Sequence, residues 1–102
     1  MEQIQSVVQK FTKSIDDCEF TFRGKIHQSV YIREEIAEVL KELSKDDRNK
    51  GNNDHIIEEE IDLITTLFVD LRRRGVSFEK IFNGSIIKTK RAMGRFYASG
   101  EL

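Results

Sequence analysis

The sequence predicts an all-α protein, an antiparallel bundle of about four helices. Three observations point there. Apolar residues recur at helical spacing in four segments, proline is absent, and most glycines fall between those segments rather than within them. The 102 residues suit one domain, residues 1–102, divided into an N-terminal helix and loop (1–24) and a larger helical part (25–98).

The first helix is expected from about Glu2 to Ile15, with Ile4, Val7, Val8, Phe11 and Ile15 as its apolar stripe. The stretch 16–24 (DDCEFTFRG) breaks that period and reads as a loop. A second helix is expected from about Ile26 to Ser44, carrying Ile32, Ile36, Val39, Leu40 and Leu43. The polar cluster 46–53 (DDRNKGNN) reads as a turn. Asn53 or Asp54 is the expected cap of a third helix, which ends near Arg74 with Gly75 as its stop. Its apolar residues include Ile56, Ile57, Leu63, Ile64, Leu67, Phe68 and Leu71, spread widely enough to ask for more than one neighbour. Ser77 caps a fourth helix from about Phe78 to Ala98.

Composition narrows the function classes. Hydrophobic residues are 38% and charged residues 34%, so the chain is expected to fold around a modest core. Such a small unit would be helped by association with a second copy. No run approaches the roughly 20 apolar residues of a membrane span, and the N-terminus has no signal-peptide core, so the expected address is the cytoplasm and no membrane partner is expected. A single cysteine, Cys18, cannot form an internal disulfide framework and has no nearby partner suggesting a nucleophile. The net charge of −1, from 17 Lys+Arg and 18 Asp+Glu, gives no pull toward nucleic acid, and Arg72–Arg74 at a helix end are too few to argue otherwise. His27 and His55 have no metal-ligand spacing and read as surface or capping residues.

The informative pattern is acidic. Glu35 and Glu38 stand one turn apart on the second helix, and Glu59 and Asp62 one turn apart on the third, each pair flanking its own apolar stripe. With the second helix ending at Ser44, both pairs would sit roughly 8 Å from the connecting turn and face each other. Two charges about 4 Å apart repel by about 4 kcal/mol at an effective dielectric near 20, so such a set calls for protons or cations. Oxygen-only ligands favour hard ions, magnesium or manganese before calcium. The blander reading is a solvated acidic face. On that reading the chain would be a non-catalytic helical adaptor or regulatory protein binding a basic partner. A di-iron bundle is disfavoured because neither histidine completes a Glu-x-x-His pair.

These residues resemble the signature of the MazG-like, all-α nucleoside triphosphate pyrophosphohydrolases: EExxE, a gap, then ExxD. Here it stands as Glu34-Glu35-x-x-Glu38, residues 39–58, then Glu59-x-x-Asp62, followed by a GVSFEKIF turn and a helix rich in Lys and Arg. The resemblance covers roughly residues 26–96. It implies that Glu35, Glu38, Glu59 and Asp62 bind magnesium and that Glu34 helps deprotonate the attacking water. It also implies cleavage of a (deoxy)nucleoside triphosphate between the α and β phosphates, a role in nucleotide clearance or pool control, and a dimer or tetramer. Lys88, Lys90, Arg91 and Arg95 are then the expected partners of the phosphates, with Arg91 where the family often has asparagine. Tyr31, Phe78, Phe82, Phe96 and Tyr97 are candidates for an apolar wall against the base, and Gln28 for hydrogen bonding to it. Many relatives use a tryptophan there; this chain has none, so base preference does not carry over.

Overall fold

The computed structural model describes residues 2–24 and 28–99, except for the side chains of residues 2 and 96–99. Among these residues it shows four helices in order: α1 (Glu2–Phe22), α2 (Gln28–Asp47), α3 (Asn53–Arg73) and α4 (Phe78–Ser99). No strand occurs among the described residues. Ile26, His27 and the side chains of Phe96 and Tyr97 lie outside the described residues.

The expected loop at 16–24 is a correction, because α1 continues through it to Phe22. Ile15, Cys18, Glu19 and Phe22 follow the i, i+3, i+4, i+7 rule, but the acid within that stripe and the outward Phe20 disguise the period. Glu19 is buried and accepts a 2.8 Å hydrogen bond from Arg23 Nε, which holds its carboxyl below the usual range against the effect of burial. Asp16, on the same extension, takes Arg72 Nε of α3 at 2.7 Å.

The second correction is the end of α2, which passes Ser44 and runs to Asp47. It stops where Asn49 adopts φ 58°, with Lys50 N donating to Lys45 O and Asn49 N to Asp46 O, both at 2.9 Å. That is the paired bonding of a left-handed helix stop, a backbone state asparagine tolerates. Gly51 then passes so close to the last turn of α2 that a Cβ there would lie 2.6 Å from Asp46 Cα. The α3 cap is Asn52, one residue before the expected pair; its side chain accepts from Asp54 N at 3.0 Å and His55 N at 3.3 Å. Gly75, at φ 79°, ends α3 as expected, and Ser77 Oγ accepts from Lys80 N at 3.1 Å at the start of α4.

α3 is the common neighbour, packed against both α2 and α1. α4 is joined more loosely, through a cluster of rings. Phe68 lies 5.0 Å from Phe11, 6.3 Å from Phe78 and 6.1 Å from Phe82, centre to centre. The Arg72 guanidinium sits 4.6 Å over Phe78, so one side chain ties α1, α3 and the start of α4 together. The chain is extended, with a radius of gyration of 16.5 Å against about 13 Å for a compact chain of this length. Ile15, Ile56 and Val69 are buried, while Val7, Leu40, Ile61 and Ile86 remain exposed.

Candidate metal centre

The α2–α3 register places the acids. Gln28 Nε2 donates to Thr66 O at 3.0 Å, pinning the start of α2 beside the second half of α3. Seven residues turn a helix through almost two full revolutions, so Glu35 returns to the face of Gln28 and Glu59 to that of Thr66. In an antiparallel pair these two must then meet. Glu35, Glu59 and Asp62 each present a carboxylate oxygen, and the three oxygens lie within 4.8 Å of one another.

Glu35 and Glu59 are half-buried while Asp62 is exposed, so the group sits at a rim with one side open. Burial raises the Glu35 carboxyl above its ordinary range, and the neighbouring charges of Asp62, Glu59, Glu38 and Glu34 push it further. The Glu59 carboxyl is raised in the same way, by burial first and then by Asp62, Glu38, Glu42 and Glu58. Among the described residues Glu35 Oε2 is buried and has no hydrogen-bond partner. An orphaned anionic oxygen beside two further carboxylates is a costly arrangement without a counter-charge. An all-oxygen donor set with an open side suits a hard divalent ion that keeps some of its own water. The residues present therefore fit such an ion.

Glu38 is exposed and lies outside this three-residue group, although its charge reaches both Glu35 and Glu59. The reason is the register of α2 against α3. Extension from Ser44 to Asp47 carries Glu35 and Glu38 alike about 4.5 Å further from the connecting turn than expected, and the register marked by the Gln28–Thr66 bond, not distance from the turn, puts Glu35 opposite Glu59. Glu34 is exposed, one residue around the helix from Glu35. Glu42 is a neighbour that sequence reading missed; it is buried, 3.2 Å from Lys45 Nζ, and its spacing from Glu35 was the available signal.

One turn along from the acids, a cleft of about 310 Å³ opens between the end of α1 and the α2–α3 pair. Phe22 and Val69 give it apolar walls, with Cys18 at its side, half-buried on a helix rather than in the expected loop. Gln28 and Tyr31 line it as well, together with Thr65 and Thr66, which sequence reading passed over. Both threonines follow Asp62 by about one turn, which was the signal for them.

The basic residues occupy a separate place. Lys88, Arg91 and Arg95 surround a cleft of their own beside Gly94, and Lys90 is exposed outside it. Among the described residues no ion pair joins these four to the acids. Phe78 and Phe82, considered as walls for a base, instead belong to the ring cluster beneath α4. Among the described residues no helix is long and apolar enough to cross a membrane. Comparison with protein-family models, with curated proteins and with solved structures finds no match to this chain, so none of them assigns it a family.

Proposed function

We propose that the chain is a magnesium-dependent nucleotide pyrophosphohydrolase of the MazG-like kind, converting a (deoxy)nucleoside triphosphate and water to the monophosphate and pyrophosphate. The observation that carries this reading is the convergence of Glu35, Glu59 and Asp62 around the orphaned Glu35 oxygen. Magnesium, or manganese in its place, would be held by these three with Glu38 joining from the adjacent turn. When bound, it supplies charge neutralisation on the phosphate oxygens and a more acidic water. Glu34 is the group assigned to take the proton from that water. The water oxygen bonds to the α phosphorus as the bond to the bridging oxygen breaks, and pyrophosphate leaves with that oxygen. Lys88, Arg91 and Arg95, with Lys90 nearby, are the residues the reading assigns to the outer phosphates; they line a cleft apart from the acids, so a second copy of the chain would have to bring them to the site. The natural setting is nucleotide clearance in the cytoplasm.

Assembly into at least a homodimer, and up to a tetramer, is part of the proposal. Val7, Leu40, Ile61 and Ile86 are each more than half exposed to solvent, and α4 has little packed against it. Covering such surface is what a second copy offers a small domain. Sedimentation at micromolar concentration is expected to give a mass of at least twice 11.9 kDa, and a stable monomer would refute the assembly.

The activity is tested by pyrophosphate release from a panel of dNTPs with magnesium, comparing wild type with Glu35→Gln and Glu38→Gln. Loss of turnover in Glu35→Gln is expected, with a smaller effect in Glu38→Gln. Equal turnover in wild type and Glu35→Gln would overturn the assignment. Calorimetry with magnesium and a non-hydrolysable triphosphate separates the enzyme from an adaptor, which would bind neither.

A further inference from the structure

Of the three consecutive arginines at the end of α3, Arg72 is engaged by the scaffold, donating to Asp16 and to Val76 O. Arg73 and Arg74 instead line a polar cleft of about 360 Å³, together with Asp70 and with Gln28 and Ser29 from the first turn of α2. The cleft is separate from the acidic group. Asp70 lies eight residues beyond Asp62, about 12 Å along α3, and both arginines lie further still. Gln28 stands between this cleft and the apolar one, lining both.

Its electrostatics favour an anion, because two guanidiniums meet one carboxylate. Asp70 accepts a 2.8 Å bond from Arg74 Nε, which steadies that guanidinium and leaves its other N–H groups for a ligand. Arg73 is exposed, and its charge also reaches Glu19 of α1. The carbonyls ending α3, which would repel an anion, are already occupied. Arg74 N donates to Asp70 O at 3.0 Å, Val76 N to Leu71 O at 3.1 Å and Gly75 N to Arg72 O at 2.9 Å. Ser29 adds a hydroxyl, and Gln28 keeps one amide N–H beside its bond to Thr66 O. The start of α2 contributes the positive end of its dipole. A guanidinium pairs two N–H groups with two oxygens of one anion. A carboxylate satisfies a single such fork, whereas a phosphate group offers oxygens to both arginines and to Ser29 at once.

We propose that this cleft is an anion site apart from the acidic centre, taking the phosphate group of a small phosphate monoester on Arg73, Arg74 and Ser29. Asp70 is a positioning residue that holds Arg74. A cleft of about 360 Å³ has room for an organic group as well as the phosphate. The proposal is independent of the triphosphate reading, since none of its residues belongs to the acidic group and no metal ion is required.

The test is calorimetric titration of the full chain in EDTA with two probes, ribose 5-phosphate and inorganic phosphate. Without metal the acidic group repels both. Ribose 5-phosphate is expected to bind saturably with a dissociation constant of about 1 mM or below, and more tightly than inorganic phosphate. Arg73→Gln is expected to weaken it about tenfold, the scale of one charge-assisted hydrogen bond, and Ser29→Ala about threefold. The double variant Lys88→Gln, Arg91→Gln strips the basic cleft of α4 and is expected to change the affinity by less than about twofold. Binding that survives Arg73→Gln but is lost in the α4 double variant, or that falls equally in both, overturns the site. So does the absence of saturable binding of either probe at about 10 mM. Inorganic phosphate binding as tightly as ribose 5-phosphate overturns the monoester assignment. Should Arg73→Gln lose its helical circular dichroism, Ser29→Ala decides, and an unchanged affinity there overturns the site.

Discussion

Replacing Glu35 by Gln is expected to stabilise the metal-free protein. Glu35 and Asp62 bring carboxylate oxygens within 4.8 Å of each other, and two unit charges at that distance repel by about 3.5 kcal/mol at an effective dielectric of 20 but only about 1 kcal/mol in bulk water. Asp62 is exposed, so the lower figure governs. Relief of about 1 kcal/mol raises the melting temperature of a domain this size by about 4–8 °C. The assay is thermal unfolding in EDTA at pH 7.5. The sign of the pH dependence follows from the raised Glu35 carboxyl. Its protonated form is favoured by folding, so the wild type recovers this stability as pH falls through the raised value toward the ordinary carboxylate range, and loses it as pH rises. The gap between variant and wild type should therefore shrink at pH 5. Magnesium reverses the order: at about a hundred times its dissociation constant it adds about 2.7 kcal/mol to the wild type, or about 10–20 °C, and little to the variant. A Glu35→Gln protein that melts at or below the wild type in EDTA at pH 7.5 would refute the argument that these charges strain the fold.

Three further outcomes concern the scaffold. Arg72→Ala removes the pair with Asp16, the 2.9 Å bond to Val76 O and the contact over Phe78, and is expected to cost about 1–3 kcal/mol in urea unfolding, with partial solvent exposure of the pair keeping it from costing more. Gly51→Ala places a methyl 2.6 Å from Asp46 Cα and 2.7 Å from its Oδ1, so backbone must shift; a loss of about 1–3 kcal/mol is expected from thermal unfolding. Asn52→Ala leaves the Asp54 and His55 amides without their acceptor and is expected to cost about 1 kcal/mol, read by the same unfolding curves, whereas Asn53→Ala should be nearly silent.

Helix existence was legible from periodicity, which is a property of each segment on its own. The stop at Gly75 and the cap at Ser77 were legible for the same reason, since each acts on its own few residues. The extension of α1 was hidden because Glu19 occupies a buried position that periodicity reserves for an apolar side chain, and its two bonds from Arg23, with the charge of Arg73, make that burial tolerable. The end of α2 was hidden because acids and asparagine suit both a last helical turn and a loop. That small difference in length shifts Glu35 and Glu38 equally from the turn, so it does not by itself choose between them.

Taken alone, the amino-acid order settled an all-helical chain with no membrane-length apolar helix and put Glu35, Glu59 and Asp62 on helix faces beside apolar stripes. Which of those carboxylates meet was decided in three dimensions. The Gln28–Thr66 bond sets how far α2 slides against α3, and that slide selects Glu35 over Glu38 as the partner of Glu59. The same packing builds the neighbouring cleft from three different helices and leaves the basic residues of α4 apart from the acids. Periodicity is written within a helix at every third or fourth residue, whereas sliding between helices depends on turn length and on the fit of two whole surfaces.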